Sequence, residues 1–244
     1  FFGFTSAMSG ENNSLLENEF EGRDEFGLQP QTDDTCTEEA EMKKYYKMLL
    51  GFIPLFGQFL AWSTYFIMTM ALDQKALYDE KFAFVYKYQL GYVYLCVVIA
   101  SFGRKILVVN ANGARAPARV DRPDQHLYKI MAAEGPLKDA PYVMMATTGT
   151  AGRFNRAQRG VFNSDEALPL FLTNVLLSSV IFGPVVTILC ALTAFGRVRF
   201  GWTYKESAKA RVGGLLFAFL GEGWIEGLVL LCAIKGIFQP FIQF

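Results

Sequence analysis

Histidine is almost missing from this chain: His126, in a polar stretch, is the only one in 244 residues, which rules out a multi-histidine metal site. Cysteine is scarce too. Cys36, Cys96, Cys190 and Cys232 form no CxxC and no metal-ligand spacing, and three of them lie in apolar runs where a thiol behaves as a small hydrophobe. No disulfide framework and no metal site are therefore expected. There is no internal repeat and no repeated polar lining along the apolar runs, so a channel or transporter is a weak reading. The chain opens at Phe1 without a signal-peptide pattern, which suggests either a processed N-terminus, as after removal of an organelle-targeting presequence, or a missing start.

Charge is balanced overall but not along the chain. Residues 1–42 hold eleven Asp and Glu against Arg23, while the rest carries 22 basic and 12 acidic residues. The acidic segment 1–42 is expected to be solvated and weakly ordered, a spacer or docking tail.

What the chain has in abundance is apolar sequence: 52% of its residues, bunched into long runs. A helix needs about 20 mainly apolar residues to cross the hydrocarbon core, and only helices or closed barrels satisfy their backbone there. Five runs stand out: Tyr45–Leu72 with Pro54, Phe82–Phe102 with Lys87, Ala167–Phe182, Val185–Phe195 and Val212–Phe238. Gly183-Pro184 reads as a tight turn. The polar stretches between them, Gly103–Gln158 and Gly196–Arg211, are both basic, with nine Lys and Arg against four acids and five against Glu206. Two spans separate them, so they share one side, which the positive-inside rule turns toward cytoplasm, stroma or matrix. If Tyr45–Leu72 spans, the acidic segment lies on that side as well.

Chemistry is concentrated in Arg153–Leu172. On a helix Arg156, Arg159, Asn163 and Glu166 recur at steps of three, four and three and form one stripe. Arg197, Tyr204 and Arg211 recur every seven residues and read as a second stripe. Such groups suit a small ligand with two carboxylates and an amine, arginine forks taking the carboxylates and Glu166 the ammonium. The plainer alternative is an interfacial arginine cluster on lipid phosphates with an internal Arg–Glu pair. Glu222 and Glu226, one turn apart in the last run, are costly in lipid unless paired, and a lysine or arginine from another helix is the expected partner.

The pattern RxxRxxxNxxExxPxFL, on Arg156, Arg159, Asn163, Glu166, Pro169, Phe171 and Leu172, resembles the second-helix signature of the MAPEG family, membrane-associated proteins in eicosanoid and glutathione metabolism. Its spacing is most like the leukotriene C synthase and lipoxygenase-activating protein branch. The series Arg197, Arg199, Tyr204, Arg211 resembles the family's third-to-fourth helix segment. The resemblance covers roughly Arg153 to Phe238, with Phe82–Phe102 as first core helix. It implies an all-α integral membrane protein: a four-helix bundle over 82–244 with a long basic loop at 103–158, and an additional hydrophobic helix at 45–72. It further implies a homotrimer binding glutathione as co-substrate between subunits. Arg156, Arg159, Asn163, Glu166, Arg197 and Tyr204 are then the candidate ligand-binding set. Arg211 is the catalytic candidate, a cation beside the sulfur that favours the thiolate.

The activity so implied is a membrane glutathione S-transferase or peroxidase acting on a hydrophobic electrophile. Phe200 stands where the conjugating relatives most like this chain carry tyrosine, and the acidic segment and Tyr45–Leu72 have no counterpart in short family members. These departures support the alternative, a non-catalytic accessory subunit of a larger respiratory or photosynthetic membrane complex. Expected partners are membrane lipids and a hydrophobic small molecule, not nucleic acid. The expected location is a plastid, mitochondrial or endoplasmic reticulum membrane.

Overall fold

The computed structural model describes residues 28, 37–120, 122, 124–129 and 144–238. The acidic segment 1–42 therefore lies outside the described residues, apart from Leu28 and 37–42, and so does 130–143 of the basic loop.

Among the described residues, four helices are long and apolar enough to cross a membrane. The first, α1, runs Glu38–Ala71; α2 is Lys75–Lys87 and α3 Gly91–Gly113. A single helical segment, Gly149–Glu206, follows the loop, but Phe182 leaves helical geometry at φ −113°, ψ 40°. Were it straight, residues 48 apart would lie about 70 Å from each other. Instead the Arg156 Nε donates to the Tyr204 carbonyl at 3.1 Å. The segment is thus a hairpin of α4, 149–181, and α5, 183–206, turning beside Gly183-Pro184. The last helix, α6, is Val212–Phe238. Two paired residues on each side, β1 Tyr128–Lys129 and antiparallel β2 Met144–Met145, hold the loop's ends together.

The chain is an all-α integral membrane protein. Its core is the α4–α5 hairpin, with α3 and α6 packed against it. One buried cluster joins Cys96 and Ala100 of α3, Phe171 and Val175 of α4, Leu189 and Cys190 of α5, and Ile225 of α6. A second, at the polar end, gathers Leu107 and Ala111 around Phe154 and Ala157. Helices in lipid associate through close van der Waals contact more than through water exclusion, so small residues sit where they cross. A Cβ on Gly214 would fall 2.3 Å from the Phe200 backbone nitrogen, and one on Gly196 2.4 Å from that of Ala218. Asn110, fully buried on α3, donates its Nδ2 to the Gly201 carbonyl and ties α3 to α5.

Two boundaries differ from the sequence reading. The run Phe82–Phe102 is interrupted: α2 ends at Lys87, Gln89 adopts φ 54°, and α3 starts afresh at Gly91. The stretch Gly103–Gln158 is not loop throughout, because α3 continues to Gly113 and α4 begins at Gly149. Arginine and lysine near a span's end lie in polar surroundings and leave the helix intact, so charge alone misplaces the boundary. In α1, wider helical turns over Tyr46–Phe52 precede Pro54 and leave room for its ring and its missing N–H.

The start of α1 is fixed to the basic end of the bundle. Thr37 caps it, its Oγ1 accepting from the Ala40 N–H at 3.1 Å. The Glu38 carboxylate accepts from both Arg153 and Lys205. Met42 fills the space that a side chain on Gly113 would need. The Lys205 side chain is only 7% exposed. It lies in the polar segment beyond the apolar run, where burial and the neighbouring Arg153 pull its pKa down to about 8. Glu38, in direct contact, and Glu206 are the carboxylates that offset this cost. Breaking a buried pair costs roughly 3–5 kcal/mol, but Glu206 stays within 3.8 Å of Lys205. Glu38→Gln is therefore expected to cost about 2 kcal/mol, a fall in melting temperature of roughly 4–8 °C in detergent. An unchanged melting curve would show that the clamp does not hold the helix.

Candidate functional site

The arginines of the α4 stripe have different neighbours. Arg156 turns toward the C-terminal end of α5, where its guanidinium donates to the carbonyls of Tyr204, Lys205 and Glu206 and to that of Thr147. The first three are among the carbonyls a helix end leaves without intrahelical partners. Arg156 thus closes the α4–α5 hairpin at its open end. Arg159, one turn on, is exposed and paired with Glu166 through two hydrogen bonds of 2.8 and 3.3 Å. Asn163 lies between them, its backbone carbonyl accepting from Arg197 at 3.3 Å.

Arg197 pairs with Glu222 of α6, Nε to Oε1 at 2.8 Å, both side chains more than four-fifths buried. The acid expected to find a cation on another helix does so. Glu226, one turn further, faces outward and is exposed.

The second stripe does not lie on one helix. α5 stops at Glu206 because its last carbonyls are taken by Arg156, and Ser207 is extended at φ −149°. Arg211 sits in the turn before α6, on the exposed side. The turn folds back, so the Arg211 guanidinium lies over the Tyr204 ring at 5.7 Å, a cation–π contact in range. Tyr204 in turn stacks on Phe200 at 5.3 Å, and Phe200 is 5% exposed. Arg199 lies over Phe217 of α6 at 5.8 Å.

All seven candidates therefore gather at the basic end, in two sets. Arg156 and Arg197 are committed to partners inside the protein. Arg159, Asn163, Glu166, Tyr204 and Arg211 keep partly or fully exposed surface.

Several organising residues escaped the sequence reading. Asn155, buried, accepts from the Leu127 N–H at 2.8 Å and donates to the carbonyls of Leu127 and Ala146, binding both ends of the basic loop to α4. Arg115 lies over the Phe154 ring and donates to the Asp124 carbonyl at 2.7 Å. Arg104 of α3 forms a fork with Asp165 of α4 at 2.7 and 2.9 Å. The adjacency of Asp165 to Glu166 was the available signal: two successive acids entering a span need two cations.

A model of the MAPEG family matches residues 88–231, from the turn before α3 into α6, leaving α1 and α2 outside. The match is to the family as a whole and distinguishes no branch within it. No curated protein matches the chain.

Proposed function

The chain belongs to the MAPEG family, and on that premise we propose that it is a glutathione-dependent transferase or peroxidase for a hydrophobic electrophile. The observation carrying this reading is the cluster of exposed, exchangeable polar groups at the basic end, bordered by Arg211 over Tyr204. An exposed ion pair contributes only about 0–1 kcal/mol. Arg159 and Glu166 can therefore exchange each other for a ligand's carboxylate and ammonium at little cost. The largely buried Arg197–Glu222 pair cannot, so Arg197, like Arg156, acts by positioning. The binding set proposed is Arg159, Asn163, Glu166 and Tyr204, in a homotrimer whose neighbouring subunit completes the site.

Arg211 supplies the chemistry. A guanidinium stays charged under all physiological conditions, and a cation beside a thiol favours the thiolate. The thiol proton passes to water. In transfer, the thiolate sulfur bonds to the electrophilic carbon of a lipid held in the bilayer beside it as that carbon's bond to its leaving oxygen breaks, and the departing oxyanion takes a proton from water. In peroxide reduction, it attacks the hydroperoxide oxygen, releasing the alcohol and leaving a sulfenic acid that a second glutathione converts to disulfide and water.

Calorimetric titration of the detergent-solubilised protein with glutathione tests the binding half. Saturable binding is expected, weakened about tenfold or more in Arg159→Ala by loss of a charge-assisted carboxylate contact of about 1.5–3 kcal/mol. No heat at millimolar glutathione contradicts it.

A second reading rests on Phe200 and α1. Phe200 brings no hydroxyl to the site, and α1 beyond its first turns carries an apolar surface with Phe52, Leu55, Phe59 and Trp62 exposed. These favour an accessory subunit of a larger organellar membrane complex. Co-purification with fixed partners in constant stoichiometry, without glutathione binding, is the outcome that reading requires.

A further inference from the structure

At the end of the bundle away from the basic face, α2 and α3 diverge from the turn at Tyr88–Leu90 and leave a cleft of about 820 Å³. Phe82, Val85 and Tyr86 of α2 form one wall, Tyr92 and Leu95 of α3 the other, and Lys87 and Gln89 line it beside the turn. The cleft depends on the turn. Gln89 at φ 54° reverses the chain in the left-handed region and sets the two helices apart as a wedge.

Its depth in the bilayer follows from its neighbours. Tyr92 lies against Gly183, at the α4–α5 hairpin turn, so the cleft sits at the far ends of the spans. Tyr78, Tyr86, Tyr88, Tyr92 and Tyr94 all fall within this short segment. Tyrosines gather in this way where a span meets headgroups. The apolar walls thus face acyl chains, and the turn that carries Lys87 and Gln89 faces the phosphate layer.

Lys87 gives the site its sign. It makes no ion pair among the described residues; its ammonium lies 5.4 Å from the centre of the Tyr88 ring, and no acid lines the cleft. A mostly apolar cavity of a few hundred Å³ or more with a small number of polar groups at one edge is the general form of a small-molecule site. An acyl chain below a phosphate matches it in shape and charge.

We propose that this cleft is a binding site for an anionic phospholipid, with its acyl chain between α2 and α3 and its phosphate at Lys87. The site is separate from the one at the basic end: Glu166, the nearest member of that set along the bundle, follows Asp165, which pairs with Arg104, nine residues of α3 beyond Leu95, about 14 Å of helix. It belongs to a part of the chain that includes α2, which the family match leaves out.

The test uses the full chain in neutral detergent, stripped of lipid and then offered equimolar phosphatidylglycerol and phosphatidylcholine, with retained lipid counted per chain by native mass spectrometry. A lysine near the membrane surface contributes about 1 kcal/mol toward an anionic lipid, or roughly fivefold. Wild-type protein is expected to retain phosphatidylglycerol in preference, and Lys87→Gln to lose about fivefold of that preference. Lys81→Gln, on the same helix but away from the cleft, should leave it unchanged. Leu95→Trp should reduce retention of both lipids by filling the cleft; Leu95 is 45% exposed, so the larger ring is tolerated by the fold. Matching helical circular dichroism verifies that each variant is folded. A preference that survives Lys87→Gln belongs to the arginine-rich end and overturns the assignment, as does a wild-type protein that retains both lipids equally.

Discussion

Arg211→Ala is expected to lower turnover with glutathione by about 10²–10³, the usual cost of removing one preorganised electrostatic group aimed at developing charge. The glutathione dissociation constant should change by less than a factor of about five, because a ligand carboxylate and the ammonium are assigned to Arg159 and Glu166. The split follows from the geometry. Arg211 stands in a turn off the helix, held over Tyr204 and, among the described residues, not in an ion pair, so its removal leaves no buried acid behind and no hole in the core. Stability should be unaffected. Arg211→Lys keeps the cation without the planar fork and is expected to recover part of the rate. Steady-state kinetics on a model electrophile, alongside binding, separates these outcomes. Equal loss of binding and rate would make Arg211 a ligand-binding residue, and unchanged rate would remove it from the mechanism.

The second large effect concerns stability. Arg197 and Glu222 pair across α5 and α6 inside the membrane domain, 17% and 19% exposed at the side chain. Removing one partner strands the other, a loss of roughly 3–5 kcal/mol for a buried pair. The Asn163 carbonyl still accepts from Arg197, so about 3 kcal/mol is expected for Glu222→Ala. Replacing both by leucine removes the two desolvation costs together and is expected to restore most of that loss. A double-mutant cycle on thermal unfolding in detergent measures the coupling. Two single losses that simply add would show that the pair does not couple.

Much of the architecture can be read from residue order. The hairpin turn was legible in Gly183-Pro184, because that dipeptide interrupts an apolar run too long for one crossing. The Arg159–Glu166 neighbourhood was legible in helix spacing, and the partner of Glu222 in the cost of a lone carboxylate in lipid. Other features depend on elements remote in sequence. Arg156 looked like a ligand residue because spacing gives the helix face but not the neighbour; the open carbonyls at the end of α5 claimed it. Arg211 kept a heptad interval from Tyr204, yet Ser207 ends the helix between them, so their proximity comes from the turn. Lys205 gave no sign of burial, since what covers it is the start of α1, some 167 residues earlier. The break between α2 and α3 was hidden inside one apolar run and became visible only through Gln89.

The most direct test of the central claim is the protonation state of bound glutathione. With the wild-type protein saturated, ultraviolet difference absorbance of the thiolate is followed against pH. An unperturbed cysteine-type thiol titrates near about 8.5, and a neighbouring guanidinium should bring the bound thiol about one to two units lower, leaving a clear thiolate signal at pH 7. Bound glutathione that titrates like the free tripeptide would contradict activation at this site and leave the bundle as a binding scaffold.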